Sequence, residues 1–449
     1  MEIENSSLYR EIQAVLNSPN KPVHFQWKAE IHVNGVTYHP LKVLSIDFAE
    51  DYETKYADEI IITLAISGGT YAKRIYPFKD KVDITLFRNP LQETAAVYDT
   101  EAGLSSERYA ATLIDTGNPI VEGNGSNTPT EESLNLTNIF EISFQLVNKA
   151  LEQMRMLSVG GVYRNTTTEN VVKTILTNES KKVVVDGVRR PVGVDMFPAS
   201  NMKVRDHVII PQGTKLVSLP EYVQSKCGGV YSSGLGYYFK KDHWYIYPCY
   251  DTTRFNKAPN TLTIINVPRN KLPDVERTYR QDGKNIVIIA TGDVKLRDDS
   301  ESQQLNQGNG VRFADADTFM NGFSKTVNNK TVINRGKNNS EVIAASRASG
   351  NNNVHVSNNP INSNPFVEYS KLARRQGNFI SLVWENSSPA LILPGMMVRV
   401  LYMDSEGIND VYGVLLKAHH YAQTKGTGMT DMRYVTRSAL SIFTQQIKE

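Results

Sequence analysis

The chain has 449 residues, 40% of them hydrophobic, enough for two to four domains with cores of their own. Its 49 Lys and Arg nearly cancel its 47 Asp and Glu, and the net charge of +2 excludes a strongly basic nucleic-acid binder and an acidic disordered chain. Two cysteines, Cys227 and Cys249, are too few for a disulfide framework, and no stretch reaches the ~18 apolar residues of a membrane span, so a soluble, cytosolically made protein without a membrane anchor is expected.

Ser6 and Ser7 can cap a short amphipathic helix with Leu8, Ile12, Val15 and Leu16 on one face, able to dock on its own body or on a neighbour. From Val23 the period becomes two. HFQWKAEIHV, Asn34-Gly35 and VTYHPLKVLSIDF read as a hairpin, followed by strand-like runs at Glu59 to Ile66, Tyr71 to Phe78, Val82 to Leu86, Arg108 to Ile114 and Ile139 to Leu146. These predict a first β-barrel or sandwich over 21–162, after an N-terminal helix in 1–20, with a long polar loop between Asp115 and Leu134.

A two-helix α/β subdomain is expected over 163–252. Thr166 to Thr168 cap a helix carrying Val171, Val172, Ile175 and Leu176, and a strand follows in KKVVVDGVRRP. Pro211-Gln212-Gly213-Thr214 opens a second helix, which Gly228-Gly229 ends. GYYFKKDHWYIYPCY then alternates around Lys241-Asp242 as an aromatic hairpin. The β pattern resumes in TLTIINV and NIVIIAT, and after an Asn-rich excursion at 325–365 it returns in FISLVW, ALILPGMMVRVLYM, VYGVLLKAHHY and DMRYVTRSALSIF. A second β unit therefore spans 253–324 and 366–449, and the fold class is mainly β with a small α/β insertion.

Chemistry is hard to place on this pattern. His419 and His420 are adjacent in a strand and point to opposite faces, so they cannot chelate one metal, and His24, His32 and His39 have no Cys, Asp or Glu at metal spacing. No nucleophile elbow, catalytic-thiol context or phosphate-binding glycine loop occurs, and Asp298-Asp299 and Glu131-Glu132 lie in polar loop sequence. No catalytic residue, cofactor or metal site is therefore expected. The aromatic hairpin, with Trp244, Tyr245 and Tyr247, is open to three readings: core packing, a protein interface, or a surface that stacks on sugars.

The order of β unit, two-helix α/β unit and interrupted β unit resembles the baseplate hub proteins of T4-like phages, the tail hubs of other contractile phages and the hub part of VgrG spikes. Three stretches carry the resemblance: VLSIDFAEDYETKYADEIIITLAI; TTENVVKTIL with PQGTKLVSLPEYVQSKCGGVYSSGLGYYF; and LPGMMVRVLYMDSEGINDVYGVLLKAHHY. Pro394 and Gly395 match the family's turn, and either His419 or His420 its strand-end histidine. The N-terminal helix and the 325–365 excursion have no counterpart in the family. The resemblance implies two hub-type β-barrels per chain and a non-enzymatic homotrimer in the virion tail or baseplate. Such a trimer is a pseudo-sixfold adaptor between a hexameric tail tube protein and a trimeric central spike protein, beside baseplate wedge proteins, with phage DNA only in transit through the lumen. The aromatic hairpin keeps open a host-surface, carbohydrate-binding tail component as the alternative, and a cell-wall hydrolase is a third reading.

Overall fold

In the computed structural model of the chain, Asn34 and Gly35 take φ of 50° and 80°, the left-handed pair that a two-residue hairpin turn demands. They join Phe25–Val33 (β1) to Val36–Tyr38 (β2). The structure describes residues 7–17, 25–90, 105–114, 139–185, 192–271, 278–295, 377–403, 407–424 and 434–445, with short backbone pieces at 188–189, 311–314, 326–327, 330–334, 340–344, 366–367, 370 and 373–374. The expected loop between Asp115 and Leu134 lies outside these residues.

Lys42–Asp51 (β3), Glu59–Ser67 (β4), Val82–Pro90 (β5), Ser105–Leu113 (β6) and Ile139–Asn148 (β7) complete the first half, in the antiparallel order β2-β1-β5-β6-β7-β4-β3. Alternate residues, among them Ile31, Ile62, Leu64, Ile84 and Phe144, face one apolar core. Two expectations fail here. The run VTYHPLKVLSIDF is broken between β2 and β3 at Pro40, which has no N–H for a ladder. Tyr71 to Phe78 is helical, as a π turn Tyr71–Ile75 followed by a 3-10 turn Tyr76–Lys81. Tyr71 and Ile75 are four apart, and burying both, Ile75 fully and Tyr71 with its ring stacked 6.3 Å from Phe140, favours the helical period.

Asn148 ends the first half by capping Lys149–Met156 (α1 of the body), its side chain accepting from the N–H groups of Ala150 at 2.8 Å and Leu151 at 3.2 Å. Ser158–Thr166 (β8) follows, and Thr167 caps Thr168–Ser180 (α2), which buries Val171, Val172, Ile175 and Leu176 as expected. Then come Val184–Val185 (β9), Val188–Arg189 (β10), Gly193–Met196 (β11), Arg205–Lys215 (β12), Leu219–Lys226 (α3), Leu235–Lys240 (β13) and His243–Pro248 (β14). β12 pairs with β8, and β11, β14 and β13 form a three-stranded sheet. Pro211-Gln212-Gly213-Thr214 does not open a helix. It is a bulge inside β12, where the register with β8 steps between Ile210 and Thr214; Gly213 takes φ of 86° and the Thr214 hydroxyl donates to Pro211 O at 2.8 Å. Gly228 and Gly229, at φ of 90° and 79°, end α3 as expected.

The second half holds Thr261–Asn266 (β15), Tyr279–Asp282 (β16), Asn285–Lys295 (β17), Val311–Ala314 (β18), Thr326–Val327 (β19), Lys330–Asn334 (β20), Ser340–Ala344 (β21), Gly377–Glu385 (β22), Met397–Met403 (β23), Ile408–Thr424 (β24) and Tyr434–Gln445 (β25). The excursion read as a loop thus carries backbone strands β19, β20 and β21, which form a small sheet with β18. The main path runs β24-β23-β15-β17-β22-β25, and β25 pairs again with β24. Antiparallel pairing of β3 with β24, Asp47 opposite Tyr421, fuses both halves into one mixed sheet of 14 strands. The chain is mainly β.

The N-terminal helix Ser7–Leu16 docks on its own body. Leu8 and Val15 are buried against Ile265, Val267, Val287, Ile289 and Leu401, with Ile12 and Leu16 packed alongside.

Candidate functional site

β3 places Ile46, Phe48 and Glu50 on successive inward beats, so a carboxylate follows two apolar side chains into the interior. β24 likewise directs Ala418, His420 and Ala422 inward. Lys240 ends β13, just before the Lys241-Asp242 turn, whose φ of 49° and 57° fold the aromatic hairpin tightly. These elements from three parts of the chain bring Glu50, Lys240 and His420 together, at 4%, 7% and 0% exposure.

The Lys240 ammonium donates to Glu50 Oε1 at 2.6 Å, to Oε2 at 2.7 Å and to Ile392 O at 3.1 Å, which satisfies all three of its N–H groups. The Tyr52 hydroxyl donates to the same carboxylate. His420 Nδ1 lies 2.6 Å from the Ser438 hydroxyl, which itself donates to Ser387 Oγ at 2.6 Å. Nδ1 is therefore the protonated nitrogen, and Nε2 faces Glu50 Oε2 at 3.6 Å without a hydrogen bond. Burial alone would raise the Glu50 carboxyl, but the Lys240 ammonium on both its oxygens outweighs burial and holds it at about 2. Burial lowers His420, so the imidazole is neutral.

Beside this triad, Tyr238 Oη donates to Asp58 Oδ1 at 2.6 Å. Burial first, and then the Glu50 charge, raise the Asp58 carboxyl to about 7. Asp58 opens on a cleft of about 140 Å³, walled also by Trp27, Phe48, Arg88, Glu107 and Lys241. Arg88 crosses it to donate to Ser388 Oγ at 3.2 Å. Phe239 N donates to Tyr56 O at 2.8 Å and Tyr247 Oη to Tyr52 O at 3.0 Å, so the hairpin is laced to the segment after β3. Chemically the arrangement is a lock. Its carboxylate and ammonium are consumed by each other, and a fully bonded ammonium has no lone pair to offer as a base.

The hairpin packs on both faces. Trp244 is fully buried with Phe239 in the core of the α/β part, ring centroids 5.3 Å apart, and its indole N–H has no partner among the described residues. Tyr247 is buried in the core of the second half, and Tyr245 is half-buried against it. Neither Trp244 nor Tyr247 offers a free face for stacking on a sugar. Pro394 and Gly395 form the expected turn, and Gly395 is required there twice over: its φ is 64°, and a Cβ would sit 2.4 Å from the Tyr247 ring. His419 is exposed, with Nε2 2.5 Å from Asp47 Oδ1, while His420 enters the joint. Of the other histidines, His32 bonds Thr37 and Thr85, and His24 lies outside the described residues.

Glu50, Tyr52, Asp58 and Lys240 escaped the sequence reading. One signal for Glu50 existed: a charged residue on an inward beat of an otherwise apolar strand face.

No family model matches the chain, and no curated protein does. Among solved structures, the tail protein of Neisseria meningitidis MC58 aligns with a TM-score of 0.46 and 11% identity, over 93% of this chain and 96% of that one. The 43 kDa tail protein of prophage MuSo2 from Shewanella oneidensis aligns at 0.45 and 10%, over 93% and 98%. An E. coli type VI secretion component, described as structurally similar to T4 phage tail proteins, aligns at 0.40 and 10%, over 93% and 77%. The chain is similar in structure to phage tail proteins. Among the described residues, no helix is long and apolar enough to cross a membrane.

Proposed function

We propose that this chain is a non-enzymatic structural hub of a phage tail or baseplate: a homotrimer whose two barrels per subunit make a pseudo-sixfold ring between a hexameric tail tube and a trimeric central spike. The observation that carries this reading is the β3–β24 seam, which builds the two β halves into one sheet, clamped by the Glu50–Lys240–His420 joint. An adaptor needs two similar surfaces held at a fixed angle, and a shared ladder with a buried ionic lock holds them. Two features support a barrel in each half. In the second, strand pairing returns to its starting strand. In the first, the Tyr434 hydroxyl spans the gap between β1 and β3, donating to Val43 O at 2.6 Å and lying 3.5 Å from Trp27 O.

An α/β unit between them belongs to the same reading, and a start near Asn148 is supported by Ala150, Leu151, Met154 and Val159 sharing one core cluster with Val171, Leu176 and Trp244. Wedge proteins are the further neighbours, and the near-neutral charge suits a lumen through which DNA passes without binding. Native mass spectrometry of the purified protein tests the reading. A mass of three chains is expected, and a monomer at every concentration overturns it.

A further inference from the structure

The chain between β17 and β22 leaves and re-enters on neighbouring strands of one ladder, with Lys295 opposite Phe379, so the sheet itself closes without what lies between. The residues just before β22 nevertheless hold on to the body. The backbone is helical at Phe366, Val367, Ser370, Ala373 and Arg374, and the Ser370 hydroxyl donates to Phe366 O at 2.7 Å, the bond back by four residues that a helical turn offers a serine. Phe366, Ser370 and Arg374 are spaced by four and share one face.

Each of the three has its own anchor. Phe366 lies against Gly229, the glycine after α3, where a Cβ would sit 2.3 Å from Phe366 Cβ. Ser370 Oγ lies 3.4 Å from Gln224 Nε2, and Gln224 is itself the staple of the turn after α3: its Oε1 accepts from the N–H groups of Val230 at 2.8 Å and Tyr231 at 3.1 Å, and its Nε2 donates to Tyr231 O at 2.8 Å. Arg374 Nε donates to Glu53 Oε1 at 2.6 Å, an oxygen that also accepts from the Tyr250 hydroxyl at 2.7 Å, and its guanidinium lies 5.9 Å from the centre of the Phe379 ring. The Glu53 side chain is only 7% exposed, so loss of Arg374 takes the counter-ion from a nearly buried carboxylate.

We propose that residues 366–374 form a strap that latches the α/β unit to both β halves, with Phe366 seated on Gly229 at one end and Arg374 bound to Glu53, beside Phe379, at the other. Closed, the strap holds the turn after α3 and the segment around Tyr250 in place together. Open, it frees both. The latch is separate from the Glu50–Lys240–His420 joint, and it stands whether or not the chain is a ring-forming hub.

The test is amide hydrogen exchange read by mass spectrometry on the full chain, on Phe366→Ala, on Arg374→Ala and on the double variant, with circular dichroism showing each folded. Either single change is expected to speed exchange by about tenfold or more at both ends of the strap, in residues 219–231 and around Tyr250, because each removes an anchor worth at least a charge-assisted hydrogen bond. The double variant adds little to either, since a strap freed at one end no longer holds at the other. The β3–β24 ladder stays protected throughout. A further variant carries a protease site after Asn351, and once cut there it keeps wild-type exchange at both ends. Effects confined to the altered residue's own anchor and additive in the double variant overturn the proposal, as does loosening of both ends by the cut alone. Should Phe366→Ala fail to fold, exchange of residues 219–231 in Arg374→Ala decides, because Arg374 is bound at the opposite end.

Discussion

Replacing Lys240 with Met leaves the Glu50 carboxylate buried with only the Tyr52 hydroxyl and a neutral imidazole 3.6 Å away. Breaking a buried pair from one side costs about 3–5 kcal/mol, because the remaining charge has lost both water and counter-ion. At about 2.1 cal/mol/K of unfolding entropy per residue, a chain of this length melts with about 1 kcal/mol per degree, so a fall of about 3–5 °C is expected. Glu50→Gln combined with Lys240→Met removes both charges and should recover most of that loss, giving a large positive coupling in the double-mutant cycle. Scanning calorimetry at pH 7 reads all four proteins. If K240M melts within about 1 °C of the wild type, corresponding to about 1 kcal/mol by the same entropy, the joint is not a lock and the rigid-adaptor argument loses its main support.

Other outcomes follow from the same geometry. Glu50 is held below its ordinary value of 4.5, so its contribution is complete above that value and is lost as the pH falls through about 2; denaturant melts of wild type and E50Q should converge in strong acid. Asp58 is raised from 3.8 to about 7, so its contribution to stability is present below 3.8 and is lost as the pH rises through 7. Asp58→Asn should therefore stabilise the protein more at pH 8.5 than at pH 5, and an equal effect at both would contradict the assignment. Gly395→Ala must adopt a left-handed φ of 64° and meet the Tyr247 ring, whereas Gly35→Ala, at φ of 80° with nothing within 4 Å, carries only the backbone cost of about 1 kcal/mol. G395A should be clearly the more destabilised of the two in urea melts. Leu8→Ala with Val15→Ala should loosen the N-terminal helix from the second half, seen as faster amide exchange in residues 7–16 with the β3–β24 ladder still protected.

Where local chemistry decides structure, the sequence was readable. Asn34-Gly35 and Asp242 have the left-handed preference that their turns use, Thr167 caps α2, and most of the period-two runs are strands. Where packing decides, it was not. Tyr71 to Phe78 alternates like a strand but buries a four-residue spacing, and Pro211 to Thr214 looks like a helix start yet is a bulge held by a partner strand distant in sequence. The joint was hidden for the same reason: Glu50, Lys240 and His420 are far apart along the chain and meet only once three units pack. The aromatic hairpin offered Tyr and Trp as contact residues, and only its two-sided burial shows why nearly every position is large.

The central claim, two similar β units per chain repeated around a ring, is tested most directly by an electron-microscopic view of the assembled protein down its axis. Three copies contributing six similar β rings around one channel are expected. A ring of another order, or three copies whose first and second halves do not resemble each other around the channel, would contradict it.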